Sequence, residues 1–168
     1  MLENLTLKGC IDFAIMTEEL GAKNYSRLAE KFGGIEDIVQ LFTQLSKDEL
    51  VHKKQFSELI KQTPPEKSEV QSQETDDYLK AMSHSVFFSQ YHGPFKDIET
   101  VHNREDALLK ALEFEKATIG FYKAVEEVHG GSEQLSQIIT AERNHIAALI
   151  KALLVEGSEF RSLQDTWP

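Results

Sequence analysis

Asp48-Glu49-Leu50-Val51-His52 is the stretch whose reading decides the fold. Glu49 and His52 are three residues apart, and on an α-helix that spacing puts both on one face. A carboxylate and an imidazole on one face can hold the same metal ion. One Glu-x-x-His alone is weak, because chance places it on many solvated helices. A second copy, Glu142-Arg143-Asn144-His145, lies in the other half of the chain with apolar flanks on the same face. Glu18 and Glu115 sit on similar apolar stripes in two further helical segments. These six residues, Glu18, Glu49, His52, Glu115, Glu142 and His145, form the candidate site.

Helical periodicity supplies the frame around them. The first helix is expected over about 7–32, with Ile11, Ala14, Ile15, Ala22, Tyr25, Leu28, Ala29 and Phe32 on one face. Glu18 falls within that face, where an unpartnered carboxylate is costly. Gly33-Gly34 permits a tight reversal, and the second helix follows over about 35–62 until Pro64-Pro65. Glu18 is 15 residues before Gly33 and Glu49 is 15 after Gly34. Equal arms of an antiparallel hairpin put the two carboxylates at the same height.

The second half repeats the first. Ala14, Glu18, Tyr25, Gly33 and Gly34 recur 97 residues later as Ala111, Glu115, Tyr122, Gly130 and Gly131. The third helix is expected over 104–129, opened by Asn103 and Asp106, and the fourth over 132–155. For Glu142 and His145 the offset falls to 93, so Glu142 is only 11 residues beyond Gly131. The third helix should therefore end early, or the connection should lengthen.

A crossover over 63–103 is expected to join the hairpins, with a short helix near 76–83 and with Val86, Phe87, Phe88 and Tyr91 against the bundle's end. A tail over 156–168, carrying Phe160, Leu163 and Trp167, should fold back on the bundle. The reading is one all-α domain, 1–168: an antiparallel four-helix bundle.

Composition narrows the function. Helix formers abound among the 168 residues, and 40 % are apolar. A net charge of −10 disfavours nucleic acid and anionic membrane surfaces as partners. Cys10 is the single cysteine, so an internal disulfide and a Cys₄ iron–sulfur or rubredoxin-type site within the chain are excluded. With no signal pattern and no apolar run long enough to span a bilayer, a soluble cytoplasmic protein is expected. Cys10 reads as a small core residue, Glu19 as solvent-facing, and His84, His92, His102 and His129 as surface residues.

A lone glutamate on each of two helices and Glu-x-x-His on each of the other two is the ligand pattern of ferritin-like di-iron and di-manganese bundles. Four carboxylates match the charge of two divalent ions. Oxygen-rich ligation with one imidazole per ion suits iron or manganese better than zinc. Left without metal, four inward carboxylates would repel one another. Tyr25 and Tyr122 each lie seven residues after a candidate glutamate. They read either as core aromatics with a hydrogen-bonded hydroxyl or as residues with a redox or supporting role beside the ligands.

Beyond this pattern, the chain resembles a known family. Ala14-Ile15-x-x-Glu18-Glu19-x-Gly21-x-x-x-Tyr25-x-x-Leu28-Ala29-Glu30 resembles the first helix of rubrerythrin-like proteins. Leu45-Ser46-Lys47-Asp48-Glu49-x-x-His52 resembles their second, Ala111-x-x-x-Glu115-Lys116-x-x-x-x-Phe121-Tyr122 their third, and Glu142-x-x-His145 their fourth. The resemblance implies a di-iron centre ligated by the six residues, bridged by Glu49 and Glu142, that reacts with hydrogen peroxide or dioxygen. It also implies a homodimer or larger oligomer. Electrons must come from an external donor, since no Cys-x-x-Cys is present. Ferroxidase and iron-storage chemistry, or a metal-stabilised bundle that binds a partner, are the alternatives. One departure stands out. Rubrerythrins carry a further glutamate one turn after the third-helix ligand, and that position here is Thr118. A nearly symmetric site is therefore expected, with weight moved from peroxidase towards oxidase or ferroxidase chemistry.

Overall fold

The computed structural model describes residues 6–63, 72–87, 93–95 and 97–164, with backbone alone for 84–87 and 156–164. Among the described residues are five α-helices and no strand: α1 (Leu7–Lys31), α2 (Glu36–Gln62), α3 (Gln73–Phe87), α4 (Arg104–His129) and α5 (Glu133–Gln164). The helices α1, α2, α4 and α5 build a ferritin-like bundle of two hairpins, and α3 lies on the crossover against α4. None of the described helices is long and apolar enough to cross a membrane.

Local chemistry explains the boundaries. The Thr6 hydroxyl accepts from Gly9 N and opens α1. After Lys31 the chain reverses through a turn closed by Ile35 N donating to Phe32 O at 2.8 Å. The α1–α2 pair is clasped by Ser46 Oγ, which donates to the Ala22 carbonyl at 2.8 Å. At the head of α4, Asn103 accepts from Asp106 N and donates to its carboxylate, at 2.8 and 2.7 Å. The expected start there holds.

Several expectations change. The crossover helix is longer than 76–83, and the fourth bundle helix continues to Gln164 instead of ending near 155. Gly157 does not stop it, because a single helical glycine costs only about 1 kcal/mol and its neighbours include good helix formers. The side chains of Val86, Phe87, Phe160 and Leu163, and all of Phe88, Tyr91 and Trp167, lie outside the described residues.

The height mismatch in the second hairpin is resolved in neither expected way. Helix α4 runs on to His129, and only residues 130–132 connect it to α5. Glu115 is 14 residues before the end of α4 and Glu142 nine after the start of α5, a shortfall of five residues. At 1.5 Å per residue that is about 7.5 Å. Within that connection Gly130 takes φ 83°, ψ 153°, a positive-φ conformation open to glycine.

The core is broader than one stripe per helix. Phe114 and Phe121, which precede the inward Glu115 and Tyr122 of α4, are fully buried. Phe114 points to a neighbour that a bare four-helix count omits, and Phe121 to another bundle helix. Phe121 meets Phe13 of α1, with centroids 4.9 Å apart. Phe114 meets Phe95 of the crossover at 4.8 Å. On another side of α4, Gly120 lets Met82 of α3 approach closely. Phe95 also sets its ring edge-on to Tyr25 at 5.6 Å, and so completes the core at that end. Phe95→Ala should cost about 3 kcal/mol in chemical denaturation, and a loss under about 1 kcal/mol would show that the crossover does not seal this end.

Candidate metal centre

All six candidate residues converge midway along the bundle. Glu18, Glu49, Glu115 and Glu142 are 0 % exposed, and His52 and His145 are 4 % and 5 %. Ligand atoms of Glu49, His52, Glu142 and His145 lie within 4.8 Å of one another. His52 Nδ1 is 2.8 Å from Glu142 Oε1 and 3.6 Å from Glu18 Oε2. His145 Nδ1 is 3.2 Å from Glu142 Oε2, 3.4 Å from Glu49 Oε1 and 3.6 Å from Glu115 Oε2. The two imidazoles stack with centroids 5.3 Å apart. Glu142 thus reaches both histidines, one with each oxygen.

Hydrogen bonding leaves this cluster unsatisfied. Glu18 Oε2, both oxygens of Glu49, His52 Nδ1, Glu115 Oε2 and Glu142 Oε1 are buried without a hydrogen-bond partner. The 2.8 Å contact between His52 Nδ1 and Glu142 Oε1 is short, but the two atoms do not meet in hydrogen-bond geometry. Orphaned acceptors are rare in protein interiors, since each costs about 1–3 kcal/mol. Their lone pairs converge on common space, and divalent cations suit that donor set. The residues fit a two-metal site.

The remaining oxygens are held from across the bundle. Tyr25 of the first hairpin donates its hydroxyl to Glu115 Oε1 of the second, and Tyr122 of the second donates to Glu18 Oε1 of the first. Burial and the neighbouring carboxylates push both phenols well above their ordinary pKa, so both stay protonated as donors. Both tyrosines are buried with a bonded hydroxyl.

Charge in the metal-free cluster is balanced by protons. Burial opposes a positive ring, yet Glu142 and Glu18 outweigh it and raise His52 to about 9. Burial is likewise outweighed at His145, which Glu115 and Glu142 raise to about 11. Burial and the Glu142 charge push Glu115 up to about 8. Burial, then Glu18, Glu142 and Glu115, lift Glu49 well above the carboxylate range. Glu142 goes the other way: burial works against its charge, but the His145 and His52 rings beside it hold it below that range.

Two residues with no assigned role in the sequence reading shape the site. Gly21 lies one turn after Glu18, and a Cβ there would come 2.9 Å from Phe114 and 3.1 Å from Glu49 Oε2. The Glu49 carboxylate therefore occupies the place a side chain would take. A glycine in a helix interior, three residues past an inward glutamate, was the available signal. Asp48 places Oδ2 3.6 Å from His145 Nε2, on the ring edge opposite the cluster. Ala141 holds the equivalent position beside His52. The equivalent of Gly21 is Thr118, fully buried with Oγ1 unpartnered. The repeat keeps residue type at the six candidates and the two tyrosines but not at these supporting positions, and the contacts are unequal: Glu142 lies 2.8 and 3.2 Å from the two histidines and Glu49 3.4 Å from His145.

The other assignments fall as follows. Glu19 is exposed and pairs with Lys53 at 3.0 Å, His102 is exposed and Cys10 is fully buried. His129 is half-buried instead of at the surface, because α4 ends beside α1 and brings its Nε2 to 3.9 Å from Cys10 Sγ. His92 and the His84 side chain lie outside the described residues.

Two outcomes follow from this geometry. In the metal-free protein the raised groups bind more protons when folded than when unfolded. Their stabilisation is full below their ordinary values of 6.5 for His52 and 4.5 for Glu115, and is lost as pH rises through about 9 and about 8. Thermal unfolding in chelator should therefore show the melting temperature falling from pH 6 to pH 9, while metal uptake releases protons. A melting temperature that rises over that range would overturn the charge assignment. The second outcome concerns Gly21→Ala, which should lower both the melting temperature and metal affinity although alanine favours helix by about 1 kcal/mol. A more stable variant with unchanged metal affinity would show that the Glu49 carboxylate does not need that space.

A family model described as rubrerythrin matches residues 10–105, which hold α1, α2 and the crossover. No curated protein and no solved structure matches the chain. The match covers more than half of the 168 residues, and with a buried glutamate–histidine cluster inside an all-helical bundle the chain belongs to the rubrerythrin family.

Proposed function

We propose that the protein is a non-haem di-iron oxidoreductase that reacts with dioxygen or hydrogen peroxide, its electrons supplied in trans. The observation that carries this reading is the convergence of buried, unpartnered carboxylate and imidazole atoms from both halves of the chain. Glu18 and His52 would hold one ion, Glu115 and His145 the other, and Glu49 and Glu142 would be shared. Iron is favoured over zinc by the oxygen-rich donor set, with manganese the nearest substitute. A pair of iron ions there would supply two electrons to a bound oxygen species.

The chain's own residues do the rest. Tyr25 and Tyr122 hold Glu115 and Glu18 in place by donating to one oxygen of each, which leaves the other oxygen for the metal. Aromatic rings around both tyrosines, Phe42 and Phe114 at one and Phe56 and Phe121 at the other, keep bulk water from the cluster. At Thr118 a short neutral side chain stands where rubrerythrins carry a glutamate, and this supports oxidase or ferroxidase chemistry over efficient peroxide turnover. With one cysteine, these 168 residues hold no rubredoxin-type donor site, which supports a supply of electrons from outside them. Assembly as a homodimer or larger oligomer belongs to the same proposal, and a monomer in small-angle scattering at micromolar concentration would refute that part.

Elemental analysis of protein purified from an iron-supplied culture should find about two irons per chain. Glu49→Gln should lower that content and leave a helical protein. An unchanged content would sink the ligand assignment. A cage assembly carrying many irons per chain would favour storage, and bound metal without turnover of either oxidant would favour a structural role.

A further inference from the structure

At the end of the bundle where α4 passes into α5, an apolar cavity of about 50 Å³ lies between Cys10 and Ile11 of α1, Phe56 of α2, Phe121 and Tyr122 of α4, and Leu135 of α5. Gly130 and Ser132 of the connection form part of its wall. At the opposite end the equivalent tyrosine is packed differently. Tyr25 is surrounded by Phe42, Phe114 and the crossover's Phe95, with centroids 6.0, 6.1 and 5.6 Å away. Phe95 of the crossover lies edge-on to Tyr25 at that end, whereas the cavity lies against Tyr122 at this one.

Size and chemistry restrict what the cavity takes. A cavity needs about 10–15 Å³ measured in this way to hold one water-sized molecule, so a diatomic gas fits. The polar groups of the wall already have partners. Ser132 Oγ accepts from Leu135 N, Cys10 Sγ faces His129 Nε2, and the Tyr122 hydroxyl is turned to Glu18. A polar guest such as hydrogen peroxide would lose its hydrogen bonds to water and find none in exchange, at a cost of about 1–3 kcal/mol per group. An apolar guest loses nothing. The floor of the cavity is Tyr122, and the hydroxyl of that same side chain touches the candidate ligand Glu18.

We infer that this cavity holds dioxygen one side chain away from the metal centre, and that it favours dioxygen over hydrogen peroxide as the oxidant. The inference rests on the oxidoreductase reading above, and it names the substrate of that same site. Xenon, an apolar probe of similar size, tests the cavity without any metal. Crystals of the unmodified protein pressurised with xenon should show it against the Tyr122 ring, and Ala14→Leu and Leu135→Phe, which fill the cavity from α1 and α5, should abolish it. Ferrous-loaded protein is then mixed with dioxygen or with hydrogen peroxide, and metal oxidation is followed optically. Both variants should slow oxidation by dioxygen about tenfold, equivalent to about 1.4 kcal/mol of barrier, and leave the peroxide rate unchanged. Absence of xenon from the cavity, or an unchanged dioxygen rate in variants that exclude xenon, would overturn the inference. Equal slowing with both oxidants would do the same, since it would mark a general disturbance of the centre. If neither oxidant reacts with the unmodified protein, the oxidoreductase reading falls and the dioxygen assignment with it, whereas xenon binding would still establish an apolar ligand site.

Discussion

Four carboxylates brought together in an apolar bundle are the constraint on which the rest of this structure depends. Each is fully buried, and an isolated charge in such a place is several kcal/mol too costly to keep. The fold answers with opposing charge at short range. Two imidazoles supply it when protonated, two phenols supply hydrogen bonds, and the converging lone pairs leave places for cations. The same cluster therefore has two neutralised forms, one balanced by protons and one by metal. Helix spacing, hairpin height and the placement of the aromatic rings are all consistent with keeping those groups within a few ångströms of one another.

Most of this geometry was legible because it is written in helical spacing. Glu49 with His52 and Glu142 with His145 share faces by simple periodicity, and the glycine pairs mark the hairpin reversals. What periodicity could not show is what happens between helices. Phe114 and Phe121 look like outer positions of an amphipathic α4, yet α1 and the crossover bury them. Phe95 sits in a segment without regular structure, so no stripe announces it. The short step from Gly130 to Ser132 depends on backbone dihedrals that a glycine allows but does not dictate. Gly21 appears as a helix-weakening residue until the carboxylate occupying its missing side chain is seen.

The internal repeat is most exact at the groups facing the centre and weakest just behind them. Glycine at position 21 is matched by threonine at 118, and the aspartate before Glu49 is matched by alanine at 141. The first hairpin leaves the Glu49 carboxylate the space of a missing side chain, and its Asp48 reaches across to His145 of the second. Two metal ions held there would have unlike surroundings, even with the same residue types around each. Differences of this kind at the outer partners of a metal site commonly change affinity by about 10–100-fold.

The two tyrosine–glutamate hydrogen bonds cross from one hairpin to the other, each half securing a carboxylate of its twin. That reciprocity is the pattern two identical hairpins would generate around a two-fold axis, where every contact made by one copy is returned by the other. It gives one polypeptide the contact pattern of a symmetric pair of hairpins. The supporting positions behind the centre are where that pattern breaks, since within one polypeptide a residue of one half can differ from its counterpart in the other.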